Sequence, residues 1–567
     1  MPIIEISALT VKYARRKLAA LNQLSLQVPK GETVLLLGPS GSGKSTLALT
    51  LNGLLPQSVG ELREGTVRVV GLDTQQHSVA DLAQRVGILF QDPDAQFATL
   101  KVEDEIVFGL ENLGYEPQSM DARIDQALSD VGVAALRDRP VSALSGGEKQ
   151  RVALASLLAM QPEVLIFDEP TANLDSMGTQ QVFALLAELK SRGKHTLILI
   201  EHKLDELMHL IDRVVVLNTQ GGILADGAPR EIFDDFGPAL QEMGVWMPQV
   251  SMLAHEIRRQ GVELPLFPIT LGDAVRAFRS WVAEAQPRST QPAASHAQAV
   301  PAMQIKNLSF TYGHLPALQD ISIDINKGDF LAIVGANGAG KTTLAKHLMG
   351  ILRPPVGTIA LEGKEFTDIP AKDVARKIGY VFQNPEHQFV TETVWDEVAY
   401  GLRVMQEDDE SVTRKTQELL ETFGLARYAK ANPFTLSYGE KRRLSVASML
   451  ALGQDILILD EPTFGQDERN ATALLEILRG LNQQGKTVIV VTHDMRLVLE
   501  NANRVVAMSA GNVLFDGAPA DLAGKAELLS EARLTLPPLA RLSALLATEY
   551  PHLRSVLTLD NYLGLAR

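Results

Sequence analysis

Four segments of this chain occur twice at almost the same spacing. GPSGSGKST from Gly38 returns as GANGAGKTT from Gly335, and FQDPDAQF from Phe90 returns as FQNPEHQF from Phe382. LSGGEKQR from Leu144 returns as LSYGEKRR from Leu436, and FDEPTANLD from Phe167 returns as LDEPTFGQD from Leu459. The separations are 297, 292, 292 and 292 residues. A near-constant offset means a duplicated domain, with a few residues lost early in the second copy. The length of 567 residues agrees, because single cores stop growing near ~250–300 residues.

The repeat continues past these motifs. Residues 245–276 and 534–567 each give a Pro, an amphipathic helical pattern, a turn, and a Thr-Leu that opens a short helix. Thr270 and Thr558 are the expected N-caps. QPRSTQPAASHAQAVP, from Gln286 to Pro301, has the composition of a flexible linker. The expected division is a first domain over 1–240, a helical extension over 241–285 and a linker over 286–302. A second domain over 303–520 and an extension over 521–567 follow.

Within each copy, short apolar runs alternate with helical stretches. Val34–Leu37, Val164–Phe167 and Thr196–Ile200, with Phe330–Val334, Ile456–Leu459 and Thr487–Val491, have the character of buried parallel strands. This predicts an α/β fold around a central sheet. Ile3–Tyr13 and Met303–Tyr312 are expected as antiparallel strands at one edge.

Composition excludes several functions. The 53 basic and 68 acidic residues leave a formal charge of −15, which argues against broad nucleic-acid binding and direct docking on anionic lipid. Without cysteine there are no disulfides, Cys-ligated zinc or iron–sulfur clusters, which fits the cytosol. MPIIEISALT has no basic n-region or long apolar stretch, so no signal peptide is expected. No run approaches the ~18 apolar residues of a membrane span. At a membrane, partners would have to supply the spanning segments.

The repeated motifs carry phosphate chemistry. Gly38, Pro39, Ser40, Gly41, Ser42, Gly43, Lys44 and Ser45, then Thr46, follow an apolar strand and precede a helical run. So do Gly335, Ala336, Asn337, Gly338, Ala339, Gly340, Lys341, Thr342 and Thr343. Backbone N–H groups of such a loop curl around phosphates, and the helix N-terminus adds positive potential. Lys44 and Lys341 reach for the β/γ-phosphates, and Ser45 and Thr342 for Mg²⁺. Asp168 and Asp460 end apolar strands where α/β sheets bind ligands, placed to hold Mg²⁺ through water. Glu169 and Glu461 come next, placed to polarise an attacking water. His202 and His493 follow the next strand as γ-phosphate contacts. Gln91 and Gln383 head a loop whose oxygens can reach the metal and γ-phosphate. Ser145 and Ser437 open capping boxes with Glu148 and Glu440. The helix N-terminus at Gly146, Gly147 and Gly439 is bare enough to grip a phosphate. Tyr13 and Tyr312 are candidates to stack on adenine.

This set resembles the ATP-binding cassette (ABC) superfamily over most of the chain. The resemblance implies two P-loop ATPase domains, each with a parallel-core sheet, an antiparallel subdomain, a helical subdomain and a small helical extension. It also implies D-loops at Asp175 and Asp467 and two cassettes closing head to tail around two ATP molecules. One site would join Lys44, Asp168 and Glu169 to Ser437 and Gly439. The other would join Lys341, Asp460 and Glu461 to Ser145 and Gly147. The forms FQDPDAQ and FQNPEHQ and the extensions are similar to the ATPases of energy-coupling factor (ECF) transporters, which import vitamins and metal ions. Such a chain would sit peripherally on the cytoplasmic face of the cell membrane, with a transmembrane coupling subunit and a substrate-binding membrane subunit. A fused ATPase of a sugar or peptide importer and a soluble tandem-cassette ribosome factor remain the alternatives. Two positions depart from the pattern: Tyr438 replaces the first signature glycine, and Gly465-Gln466-Asp467 replaces Asn-Leu-Asp. The ring of Tyr438 either points away from the nucleotide held by Lys44 or crowds it.

Overall fold

The apolar runs become strands buried on both faces. The computed structural model describes residues 2–13, 18–58, 62–172, 174–284, 286–287 and 300–566. The chain forms two compact units, Met1–Phe278 and Arg279–Arg567.

In the first unit a six-stranded sheet runs in the order Ile223–Gly227, Arg213–Leu217, Thr33–Leu37, Thr196–Ile200, Val164–Asp168, Val86–Leu89. All neighbours are parallel except the outermost pair, Ile223–Gly227 with Arg213–Leu217. Thr33–Leu37 and Thr196–Ile200 are buried at every residue, as expected for a sheet covered on both faces. The second unit repeats the order: Asn512–Gly517, Arg504–Ser509, Phe330–Val334, Thr487–Thr492, Ile456–Asp460, Ile378–Val381.

Pro2–Lys12 is not an edge strand of this sheet. It lies inside a separate four-stranded antiparallel sheet, between Leu21–Pro29 and Leu62–Val69, with Leu72–Asp73 outermost. Pro301–Tyr312 does the same between Leu315–Asn326 and Ile359–Leu361. Alternate residues of these strands turn inward, Ile4, Ile6, Leu9 and Val11 in the first. They share one core with the phosphate-loop helix residues Leu47 and Leu51. The antiparallel layer thus backs the helix that follows the glycine loop.

The parallel strands all end at one edge, and each hands over to an expected functional residue. Leu37 leads to Gly38, Leu89 to Phe90 and Gln91, Asp168 to Glu169, and Ile200 to Glu201 and His202. The second unit does the same at Gly335, Gln383, Glu461 and His493. Strand carboxyl ends flanking a switch in strand order form the ligand crevice of open α/β sheets.

Both extension caps are present. The Thr270 hydroxyl accepts from the Asp273 N–H at 3.1 Å, and Thr558 forms a capping box with Asn561. The helices they open differ: Leu559–Leu563 stops at Gly564, whereas Leu271–Glu284 runs for 14 residues. The division between units falls inside that longer helix. In the second unit Trp281 stacks on Tyr562 with centroids 6.4 Å apart, Arg279 pairs with Glu549 at 2.9 Å, and Gln286–Pro287 pairs with Leu565–Ala566. Residues 288–299 of the expected linker lie outside the described residues. Pro301 and Ala302 already belong to a strand. No helix among the described residues is long and apolar enough to cross a membrane.

Candidate nucleotide sites

The glycine loop is held by close packing. Gly43 has φ +99°, and a Cβ there would stand 2.4 Å from the Ala20 carbonyl oxygen; Gly340 repeats this against Ala317 at 2.4 Å. Only glycine fits such a left-handed, crowded position. Lys44 Nζ donates to the carbonyls of Gly38 (2.8 Å) and Pro39 (3.1 Å). Lys341 donates to Gly335 (2.8 Å) and Ala336 (2.9 Å). Each ammonium is thus folded back over its own loop. Ser42 and Ala339 are buried within the loop.

The carboxylates gather at the crevice. Thr342 Oγ1 donates to Asp460 Oδ2 at 3.0 Å, and Ser45 bonds Asp168 in the same way. Burial pushes both aspartates above their ordinary range, even though these hydroxyls and the nearby lysines pull them down. A further donor on Asp460, the Tyr380 hydroxyl at 3.2 Å, escaped the sequence reading. Its twin position holds Ile88.

Glu169 and Glu461 occupy left-handed backbone, φ 51° and 46°. A non-glycine residue held there is strained and is kept in place by its surroundings. His202 Nε2 meets Glu169 Oε1 at 3.0 Å, and His493 Nδ1 meets Glu461 Oε1 at 2.7 Å. Burial raises both glutamates, but the neighbouring histidine and lysine outweigh it and hold both below the usual carboxylate range. Both therefore favour the ionised form. The second oxygen is held differently in the two units. Gln91 Nε2 donates to Glu169 Oε2 at 3.0 Å. Glu461 Oε2 instead accepts from Thr492 Oγ1 at 3.0 Å. Gln383 is exposed, and its backbone carbonyl accepts from Tyr438 and Arg442.

The remaining residues fall as follows. Ser145 and Ser437 form complete capping boxes with Glu148 and Glu440. Gly147 and Gly439 lie in the first turn, and a Cβ on Gly439 would meet Asn470 at 2.8 Å. Asp175 and Asp467 cap the helices that follow the D-loops. Tyr13 bonds Thr46 at 3.1 Å through its hydroxyl. Tyr312 is exposed and meets Phe310 edge-on at 4.9 Å. The ring of Tyr438 turns onto its own unit. It packs on Phe464 and Gly465, and its hydroxyl reaches Gln383 O at 3.2 Å.

A family model described as "ABC transporter" matches residues 21–172 and again 318–464. The chain belongs to the ABC transporter family. Full-length relatives have the same tandem layout. A candidate ABC transporter ATP-binding protein of Methanosarcina acetivorans is 39% identical over 99% of this chain and 94% of its own length. YkoD of Bacillus subtilis, described as a candidate HMP/thiamine import ATP-binding protein, is 37% identical over 94% of this chain and 95% of its own. The solved structure of cbiO1 from Clostridium perfringens, described as part of the ABC transporter complex cbiONQ, matches 43% of this chain and 99% of its own. The identity is 29% and the TM-score 0.38. This chain is therefore an ABC ATPase with two ATP-binding cassettes, the ATP-binding component of a transporter.

Proposed function

We propose that the chain energises an importer of the ECF type, carrying a vitamin, a vitamin precursor or a metal ion. The observation that carries this is the similarity, over 94% of this chain and 95% of the relative, to an HMP/thiamine import ATP-binding protein. In this reading Lys44 and Lys341 hold the β/γ-phosphates. Ser45 with Asp168, and Thr342 with Asp460, supply the hard oxygen donors that suit Mg²⁺, and Gln91 and Gln383 add amide oxygens. The convergence of hydroxyl and carboxylate in each unit fits that ion. Bound Mg²⁺ supplies charge neutralisation on the phosphates. Glu169 and Glu461 orient water and take its proton, while His202 and His493 fix the carboxylates and face the γ-phosphate. Tyr13 and Tyr312 receive the adenine. Ser145, Gly146, Gly147, Ser437 and Gly439 grip the phosphate bound to the opposite cassette, and the two cassettes pair within one chain.

The partners are a transmembrane coupling subunit and a substrate-binding membrane subunit, with the ATPase peripheral on the cytoplasmic face. Exposed apolar side chains flank each glutamine loop: Leu100 and Phe108 in one unit, Val390, Tyr400, Val404 and Phe434 in the other. Such groups near a loop that in the first unit bonds Glu169 suit contact with a moving partner. The test is purification of the tagged chain from its native host, followed by reconstitution with the co-purifying proteins in vesicles. Multi-spanning proteins and ATP-dependent uptake of labelled HMP or thiamine, or of a divalent metal, are expected. Co-sedimentation with ribosomes and no membrane protein would overturn the proposal.

A further inference from the structure

The two departures in the second cassette fit each other. Tyr438 stands where the first cassette has Gly146, and Gly465 where it has Asn173. A Cβ on Gly465 would lie 3.0 Å from Tyr438 Cε1, and Gly465 has φ +65°. The aromatic ring thus occupies the space that a side chain at 465 would need. A third difference lies one helical turn on, where Arg442 replaces Gln150. Arg442 is fully buried. It donates to the carbonyls of Phe382, Gln383 (2.6 Å) and Glu461 (3.1 Å). Burial lowers its proton affinity; carbonyls replace water on its two terminal nitrogens, while its Nε is buried without a hydrogen-bond partner among the described residues. Gln150 Nε2 is buried without a hydrogen-bond partner among the described residues.

We propose that Tyr438 and Arg442 form a brace that positions Glu461. From one helical turn the brace fastens the backbone of the glutamine loop, the backbone of Glu461 and the loop at Gly465. The first cassette lacks the brace and holds Glu169 through the Gln91 side chain instead. Tyr438 and Arg442 are positioning residues that act through Glu461. The inference rests on the reading of Glu461 as the hydrolytic carboxylate, so the two are tested side by side.

The experiment is steady-state phosphate release by the full chain across ATP concentrations, with binding of a fluorescent ATP analogue measured on each variant. Arg442→Gln should lower kcat about 10-fold with KM and analogue affinity within about twofold, since misplacing a reacting group by ~1 Å costs up to 10²-fold. Arg442→Lys should not rescue it, because one ammonium cannot span three carbonyls. Tyr438→Phe, which keeps the ring, should lower kcat about threefold. Gly465→Asn should impair turnover alone and be relieved by adding Tyr438→Gly, a coupling expected only of side chains in contact. If Arg442→Gln does not fold, Tyr438→Phe and the Gly465 pair decide. Adding Arg442→Gln to Glu461→Gln should cost nothing further. Normal kcat in Arg442→Gln and Tyr438→Phe, with Glu461→Gln still defective, overturns the brace. Weaker analogue binding at unchanged kcat also overturns it, since that describes a binding or folding role. Normal turnover in Glu461→Gln overturns instead the reading of the site.

Discussion

The two cassettes keep the same lysine, histidine, glutamate and serine and change what holds the glutamate. Each has a lysine folded over its loop, a histidine on its glutamate, and a serine capping box at its signature. The second oxygen of the glutamate is anchored by Gln91 in one and by Thr492 in the other. At the position of Thr492 the first cassette has Glu201, which is buried and turned onto Thr171 at 2.8 Å. The lesson is that duplication constrains the residues at the carboxyl edge of the sheet more tightly than their supports. One cassette ties its glutamate to a loop side chain, and the other ties it to the sheet.

The largest effect that separates the cassettes should come from the glutamine loops. A hydrogen bond to a charged group contributes about 1.5–3 kcal/mol, so Gln91→Ala should lower the turnover of its own cassette, read in a Glu461→Gln background, by roughly 10-fold or more. Gln383→Ala, whose side chain does not reach Glu461, should lower turnover by about twofold at most. Both variants are compared by phosphate release without the membrane partner. Equal losses would break the distinction.

Thr492→Val should have the next largest effect, about three- to tenfold, because it removes a single donor to Glu461. It also has a sign in pH. Glu461 lies below its ordinary range partly because Thr492 donates to it. Loss of that donor moves the carboxylate up, so the acid limb of the pH–rate profile should shift to higher pH. An unshifted limb would mean that the base's ionisation does not limit the rate on that side.

The smallest effect concerns stability. Glu362 in the second cassette bonds Lys327 at 2.7 Å and pairs with Lys377; Val70 stands at the matching place in the first. Those two lysines lower its pKa from 4.5 to about 2. A depressed carboxylate stabilises the fold above its unfolded pKa, and the contribution is lost as pH falls through the folded value. Glu362→Gln should therefore cost about 0.5–1 kcal/mol at pH 7, reduced by solvent screening. The difference in urea midpoint should shrink as pH drops from about 5 toward 2. A constant difference would assign the effect to packing.

Much of this arrangement was legible in the sequence because its signals are local. A glycine loop between an apolar strand and a helix, an acidic pair closing a strand, and Ser-x-x-Glu at a helix start are each written within a dozen residues. They placed Lys44, Asp168 and Glu169 and their twins at one sheet edge, and Ser145 and Ser437 at helix starts. The supports were not legible, since Tyr380 lies 80 residues from Asp460 and Arg442 lies 59 from Gln383. No periodicity joins residues so far apart. The antiparallel subdomain was legible, but that Pro2–Lys12 and Pro301–Tyr312 lie inside a separate sheet was not, because a strand's pattern does not name its partners. The extension helices were found by their caps, but their lengths differ because Gly564 stops one of them.

The measurement closest to the centre is steady-state phosphate release at saturating ATP for Glu169→Gln, Glu461→Gln and the double variant. Loss of a general base typically costs 10²- to 10⁴-fold, so the double variant should fall by at least about 100-fold while still binding ATP. Each single variant should fall as well, with Glu461→Gln the deeper loss because that carboxylate is the more buried and is anchored to the sheet. A double variant that turns over ATP near the rate of the unmodified chain would contradict the assignment of these two glutamates as the hydrolytic carboxylates.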